Sequence, residues 1–189
     1  KLYRSGGCKL GQRTVRPHLF ALQKLGLEIA THPGFYEVKN PPKLTGAAIV
    51  MYESGDTATV NAIMAAVLAH GMTTIAMASA NYMVQDLCYF LVKAGAKITG
   101  IGSTTLTITG VTALKPIRAY PIMPDPIVAM TFLSVAIVTN STLTVKNCPL
   151  DFLALELTKL EVMGQQFTLS PERYSSNGKF KIVDITIVP

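Results

Sequence analysis

Gly26, Gly95 and Gly164 stand 69 residues apart, and their surroundings repeat with them. Lys24-Leu25-Gly26-Leu27-Glu28-Ile29 returns as Lys93-Ala94-Gly95-Ala96-Lys97-Ile98 and, more loosely, as Val162-Met163-Gly164-Gln165-Gln166-Phe167. The same offset relates Val15, Val84 and Leu153, then Leu19, Cys88 and Leu157, then Leu22, Leu91 and Leu160. Spacings of i, i+4 and i+7 mark one face of a helix. Each copy therefore reads as an amphipathic helix closed by a left-handed glycine and followed by a strand. A repeat of this length requires stacked copies of one supersecondary unit.

The other half of the unit repeats as well. Asp56 and Asp125 each precede an apolar helix, Thr59 to Ala69 and Val128 to Val138. A β-branched strand follows, Thr73 to Met77 in one copy and Thr142 to Lys146 in the next. With a strand before the first helix (Ala47–Tyr52, then Ile117–Ile122) and two after the second (Lys97–Ile101 and Thr105–Thr109), the unit reads βαβαββ. Whole units are expected over 41–109 and 110–178, residues 1–40 forming the second half of an earlier one. The fold class is α+β. The chain reads as a fragment of a longer protein. The proline-rich stretch 115–126 is the expected hinge between a first domain (1–114) and the start of a second (127–189).

Only 15% of the 189 residues are charged and 49% are hydrophobic, so partner segments are expected to cover part of the surface. The longest apolar run, Pro126 to Val138, is too short to span a bilayer, and no signal-peptide pattern opens the chain. Three cysteines in unrelated contexts and three isolated histidines form neither a disulfide framework nor a metal-ligand spacing, which fits a reducing cytoplasm and no metal or cofactor. The net charge of +6 has one location. Residues 1–24 carry six basic side chains and no acid, and the remainder balances. Such a focus points to an anionic ligand.

That focus contains the chemistry. In Tyr3-Arg4-Ser5-Gly6-Gly7-Cys8-Lys9-Leu10-Gly11-Gln12-Arg13-Thr14-Val15-Arg16, one thiol sits among glycines and cations. Cationic neighbours stabilise a thiolate, and glycines let a ligand approach the backbone closely. The repeat aligns Cys8 with Met77 and Lys146, at a strand-to-helix connection. Arg13 and Arg16 then fall at a helix start, where the macrodipole already disfavours cations and a bound anion would resolve the conflict. The plainer reading is a solvated turn.

Gly6-Gly7-Cys8-x-x-Gly11-x-Arg13-x-Val15, with Lys24-Leu25-Gly26-x-Glu28-Ile29 beyond it, resembles the UDP-N-acetylglucosamine enolpyruvyl transferase family of peptidoglycan synthesis. Ala58-Thr59-Val60, Ala94-Gly95-Ala96-Lys97-Ile98 and Pro124-Asp125-x-Ile127 with Thr131-Phe132-Leu133 extend the likeness along the chain. The resemblance implies an inside-out α/β barrel, helices inside and sheets outside, of which this chain holds part. It implies phosphoenolpyruvate and UDP-N-acetylglucosamine as substrates, in a cytoplasmic pathway that supports cell-wall biogenesis, cell shape and division. Cys8 would be the loop thiol tied to proton transfer, and Asp125 a catalytic carboxylate at the interdomain cleft. Arg13 would contact a phosphate-bearing substrate, Val15 and Pro17 would line the uridine site with Arg16 in the same substrate-binding set, and Gly55, Asp56 and Thr57 would lie near the diphosphate. No membrane is implied, and nucleic acid is not the expected partner. The family usually has an acid where Arg16 stands, arginine and glutamate where Pro126 and Val128 stand, and Val-Gly in place of Asp56-Thr57. The acceptor sugar therefore stays open, and the chain alone is not expected to turn over.

Other residues read more simply. Asp56 and Asp125 are placed to cap the helices after them, and Arg16 could compensate Asp56 if the fold brings them together. Cys88 and Cys148 are expected to be buried and inert, His18 to lie on the polar side of the first helix, and Met64, Met72 and Met77 to fill core. Lys179, Phe180 and Lys181 read as an exposed strand edge. A non-catalytic module binding a nucleotide sugar or RNA on the same fold is the alternative.

Overall fold

The computed structural model describes residues 1–3 and 14–188, which divide into two compact units, Lys1–Ile117 and Arg118–Pro189. The first unit runs β1 (Leu2–Tyr3), α1 (Arg16–Lys24), β2 (Glu28–His32), β3 (Phe35–Lys39), β4 (Ala48–Val50), α2 (Asp56–Ala66), β5 (Met72–Ala76), α3 (Tyr82–Lys93), β6 (Lys97–Thr99) and β7 (Thr105–Thr109). The second runs α4 (Pro126–Val138), β8 (Leu143–Pro149), a 3-10 turn (Leu150–Phe152), α5 (Ala154–Val162), β9 (Phe167–Leu169), β10 (Arg173–Tyr174) and β11 (Lys181–Ile187).

The repeated glycines end their helices in one way. The amide of the residue after the glycine reaches back to Leu22 (3.2 Å), Leu91 (2.9 Å) or Leu160 (3.0 Å), and the glycine amide bonds Gln23, Val92 or Glu161. These paired bonds form a Schellman motif, which needs a left-handed residue at its bend. Gly26, Gly95 and Gly164 supply φ of 104°, 100° and 79°. Each glycine thus turns the chain from a helix into the strand that follows.

The sheets repeat too. β3 lies between β1 and β2, β7 between β5 and β6, and β11 between β8 and β9, all paired antiparallel. β4 extends the middle sheet in parallel with β5. Side chains alternate across these strands, so Thr73 and Ile75 of β5 and Leu106 and Ile108 of β7 turn inward while their neighbours face out. Inside, α2 packs against α1 and α3 through Ala58, Ala62, Ile63 and Ala66, with the sheet on its other side. Alanines at these positions let helix backbones approach closely, so α2 occupies the interior of this unit, with α1 and α3 beside it and the sheet behind it. In the second unit, Leu133, Leu153, Leu157 and Leu160 of its helical segments close over Val183, Ile185 and Ile187 of β11.

Several expectations are corrected. No strand forms over residues 117–122. Pro116 and Pro121 lack the amide that a ladder requires, and the Pro121 carbonyl accepts from Asn177 Nδ2 at 3.2 Å instead. The second unit does not close at residue 178. Its central strand is β11, reached through an added segment that carries β10 and a turn from Ser175 to Gly178. Phe180 is accordingly buried rather than part of an exposed edge, and β11 is flanked on both sides. α2 begins three residues earlier than expected, at Asp56.

Met64, Met72 and Met77 are exposed (46%, 61% and 55%) rather than core. The alanines of α2 take its inward positions, Met72 is out of phase with inward Thr73, and Met77 leaves the strand with φ of 57°. Cys88 and Cys148 are buried, as expected.

Candidate functional site

Cys8 and Arg13 lie outside the described residues. Beyond them, Thr14 Oγ1 accepts from the Arg16 amide at 3.1 Å. Val15 is the N-cap of α1 but gives no side-chain cap bond, Pro17 follows in the first turn, and no acid stands there. The helix start is therefore electropositive and carries Arg16 besides. Val15 and Arg16 are exposed, whereas Pro17 is buried.

Arg16 does not compensate Asp56; the two form no ion pair. The Arg16 guanidinium lies over the Tyr52 ring, 5.8 Å from its centroid, and Tyr52 in turn tilts against Phe20 at 5.9 Å. Lys24 lies over the opposite neighbour of this stack, 5.4 Å from the Phe20 centroid. A cation over a ring is held by the ring quadrupole and needs no carboxylate. His18 is not simply a surface residue: its Nδ1 and Asn61 Nδ2 are 2.7 Å apart, tying α1 to α2.

Asp56 is not the cap of α2. Gly55 occupies that position, and Asp56 is the first helical residue. Its Oδ1 accepts from Ser79 Oγ at 2.5 Å and its Oδ2 from Asn81 Nδ2 at 2.9 Å. Asn81 caps α3 through its Oδ1, so one carboxylate joins the starts of two helices. Gly55 is half-buried and Thr57 exposed beside it.

In the second unit, Asp125 does cap its helix. Oδ1 accepts from the amides of Ile127 (2.8 Å) and Val128 (3.3 Å). Pro126, lacking an amide, leaves those two as the first donors to be satisfied. The residue is exposed.

Sequence reasoning missed Ser79, Asn81, Asn61 and Tyr52. Asn81 two residues after Ser79, just before an apolar helix, is a capping pattern that could have been read. The Asn61 and Tyr52 contacts are long-range, and no local pattern announces them.

The remaining described thiols are chemically quiet. Burial pushes the Cys88 thiol up to about 12. Burial is also the main cause raising Cys148 to about 11, with the neighbouring Asp184 carboxylate adding to it and a backbone hydrogen bond from Ile185 opposing it. Among the described residues no three His, Cys, Asp or Glu side chains gather as a metal site would need. No described helix is long and apolar enough to cross a membrane.

A helix closed by a left-handed glycine, followed by strands of which the last is central in its sheet, recurs in each copy, and the fold is that of the enolpyruvyl transferases. The structure is similar to the enolpyruvyl transferase NikO from Streptomyces tendae, with a TM-score of 0.75 at 21% identity over 95% of this chain and 43% of that one. It is similar also to EPSP synthase from Acinetobacter baumannii, with a TM-score of 0.72 at 18% identity over 97% and 41%. Residues 3–188 match the family of EPSP synthase (3-phosphoshikimate 1-carboxyvinyltransferase), and the chain belongs to that family. Among curated relatives, the UDP-N-acetylglucosamine 1-carboxyvinyltransferase of Hydrogenovibrio crunogenus is 40% identical over 187 residues, 97% of this chain and 44% of that protein. The enzyme of the same name from Campylobacter lari is 38% identical over 184 residues, again 97% and 44%. The chain spans less than half the length of these relatives.

Proposed function

We propose that the protein to which this chain contributes transfers the enolpyruvyl group of phosphoenolpyruvate to the 3-hydroxyl of UDP-N-acetylglucosamine, in the cytoplasm and as a step of peptidoglycan synthesis. The observation that carries this reading is the agreement with 1-carboxyvinyltransferases along 97% of the chain. The glycine-bracketed Cys8 loop, within the segment that carries the net positive charge of the sequence, supports it.

The reaction needs a proton delivered to the methylene carbon of phosphoenolpyruvate as the acceptor hydroxyl attacks the adjacent carbon. The tetrahedral adduct then loses phosphate, and a proton leaves the methyl group to restore the double bond. A titratable group of tuned pKa must serve the carbon, and cations must stabilise charge building on the departing phosphate. Cys8 takes the first role and Arg13 the second. Val15, Arg16 and Pro17, at the electropositive start of α1, belong to the acceptor side, as do Gly55, Asp56 and Thr57 at the start of α2. Asp125 acts from the second domain, with residues 115–126 as the hinge. A loop closing on the substrates would exclude water.

The test is phosphate release by the parent protein. Release should require both substrates, and Cys8→Ser should lower kcat by about a hundredfold or more. Absence of UDP-sugar-dependent release, together with RNA affinity falling steeply with salt, would replace this reading with a binding module.

A further inference from the structure

The sequence of α1 gives weak local reasons for the helix to start at Arg16. Val15 at the N-cap has no side-chain cap bond, the first turn holds no acid, and Arg16 adds a cation to the positive end of the dipole. Locally, Pro17 with its preset φ and Thr14 Oγ1, which takes the Arg16 amide at 3.1 Å, favour the turn. Two distant side chains hold it as well. Asn61 Nδ2 stands 2.7 Å from His18 Nδ1, both residues half-buried, and the Arg16 guanidinium lies 5.8 Å from the centroid of the Tyr52 ring. An amide nitrogen only donates, so Nδ1 accepts and the neutral imidazole carries its proton on Nε2. The Tyr52 ring is braced in turn by Phe20, one helical turn beyond Arg16. Asn61 belongs to α2 and Tyr52 lies just ahead of that helix. The residues before and after the buried Pro17 are thus both held from α2 and its approach.

We propose that Asn61 and Tyr52 are positioning residues for Val15, Arg16 and Pro17: they set where this turn stands, and with it the acceptor side of the site. The placement rests on the two contacts, and its consequence for the acceptor rests on the enolpyruvyl reading. Neither residue has to touch the ligand. The chemistry of the hold matters too. A carboxylate partner would neutralise Arg16, whereas a ring holds the guanidinium through its quadrupole and leaves the charge in place. Among the described residues Arg16 forms no ion pair, so its charge stays available to an anionic acceptor. A shift of about 1 Å in such a turn weakens every contact made through it.

The experiment measures steady-state phosphate release and backbone amide exchange in the parent protein and its variants. Asn61→Leu, close in shape but unable to donate, should raise KM for UDP-N-acetylglucosamine about tenfold and leave KM for phosphoenolpyruvate unchanged. Tyr52→Leu should raise the same KM about threefold, and Tyr52→Phe, which keeps the ring, should match wild type. In Asn61→Leu, exchange at the amides of His18 and Leu19 should quicken about tenfold, with Leu25, Gly26 and Leu27 at the far end of α1 unchanged. Both KM values rising together, or neither moving, overturns the proposal, and so does Tyr52→Phe failing as Tyr52→Leu does. Should the parent protein release no phosphate, the enolpyruvyl reading fails and exchange alone decides. Quickening confined to the start of α1 then supports the positioning role, and none, or an equal rise along the helix, overturns it.

Discussion

A Cβ built on Gly110 would stand 1.6 Å from the carbonyl oxygen of Ala69. The Gly110 amide bonds the Gly71 carbonyl at 2.9 Å and the Val111 amide bonds Val67 at 2.9 Å, so the chain leaving β7 lies directly on the end of α2. Backbone-to-backbone packing this close has no flexible atom to yield. Gly110→Ala is therefore expected to cost about 3 kcal/mol or more. Gly34→Ala, at a hairpin glycine with φ of 85° and open space around it, should cost only about 1–2 kcal/mol. Urea unfolding of the two variants checks the ranking, and equal losses would contradict it.

The three helix-ending glycines should behave as one. Added Cβ atoms at Gly26 and Gly95 meet only ordinary contacts, with Pro41 Cγ at 3.8 Å and Lys115 Cγ at 4.0 Å, and at Gly164 nothing lies within 4 Å. The left-handed backbone is then the whole penalty. Each alanine variant should lose about 1–2 kcal/mol, the three agreeing within about 0.5 kcal/mol. A much larger loss at one position would mean that its glycine serves close packing.

Thiol ionisation sets an alkaline limit. The Cys88 thiol is raised by burial from 9.0 to about 12 in the folded protein. Its contribution to stability is fully present below pH 9.0, where neither state ionises, and is lost as pH rises from there through about 12. The unfolding free energy should fall over that range, with a shallower slope in Cys88→Ala. An unchanged slope would show that Cys88 is not the group responsible.

Asp184 sets the acid counterpart in the second unit. The Asn147 amide, first, and then Arg173 hold its carboxyl below the ordinary value of 3.8. Asn147 has φ of 59°, and Asp184 sits where the pairing of β11 with β8 shifts register. The contribution is present above the ordinary carboxylate pKa and lost as pH falls through the lowered one. Asp184→Asn should lower the Tm at neutral pH, and the gap to wild type should close in acid. A gap independent of pH would point to packing alone.

What the sequence made legible were features governed by local rules. A left-handed glycine, an i, i+4, i+7 stripe and a β-branched run identify themselves, so the copies at Gly26, Gly95 and Gly164 could be aligned before any coordinates. What it hid was decided by distant partners. Ile117–Ile122 has strand composition, yet Pro121 and the preceding Pro116 remove ladder donors and Asn177 captures the Pro121 carbonyl. Met64, Met72 and Met77 are apolar, but burial follows phase and not hydrophobicity alone. Asp56 looks like a cap because it precedes apolar residues; only the fold brings Ser79 and Asn81, more than twenty residues on, to its carboxylate. Asp125 was legible because its partners are its own next two amides.

The thiol in the basic glycine loop is the one proposed to react. An epoxide analogue of phosphoenolpyruvate, incubated with the parent protein and followed by peptide mass spectrometry, tests it most directly. One equivalent of adduct is expected, carried by Cys8, with Cys88 and Cys148 untouched because burial keeps their thiols protonated. Adduct on Cys88 or Cys148 with Cys8 unmodified would contradict it.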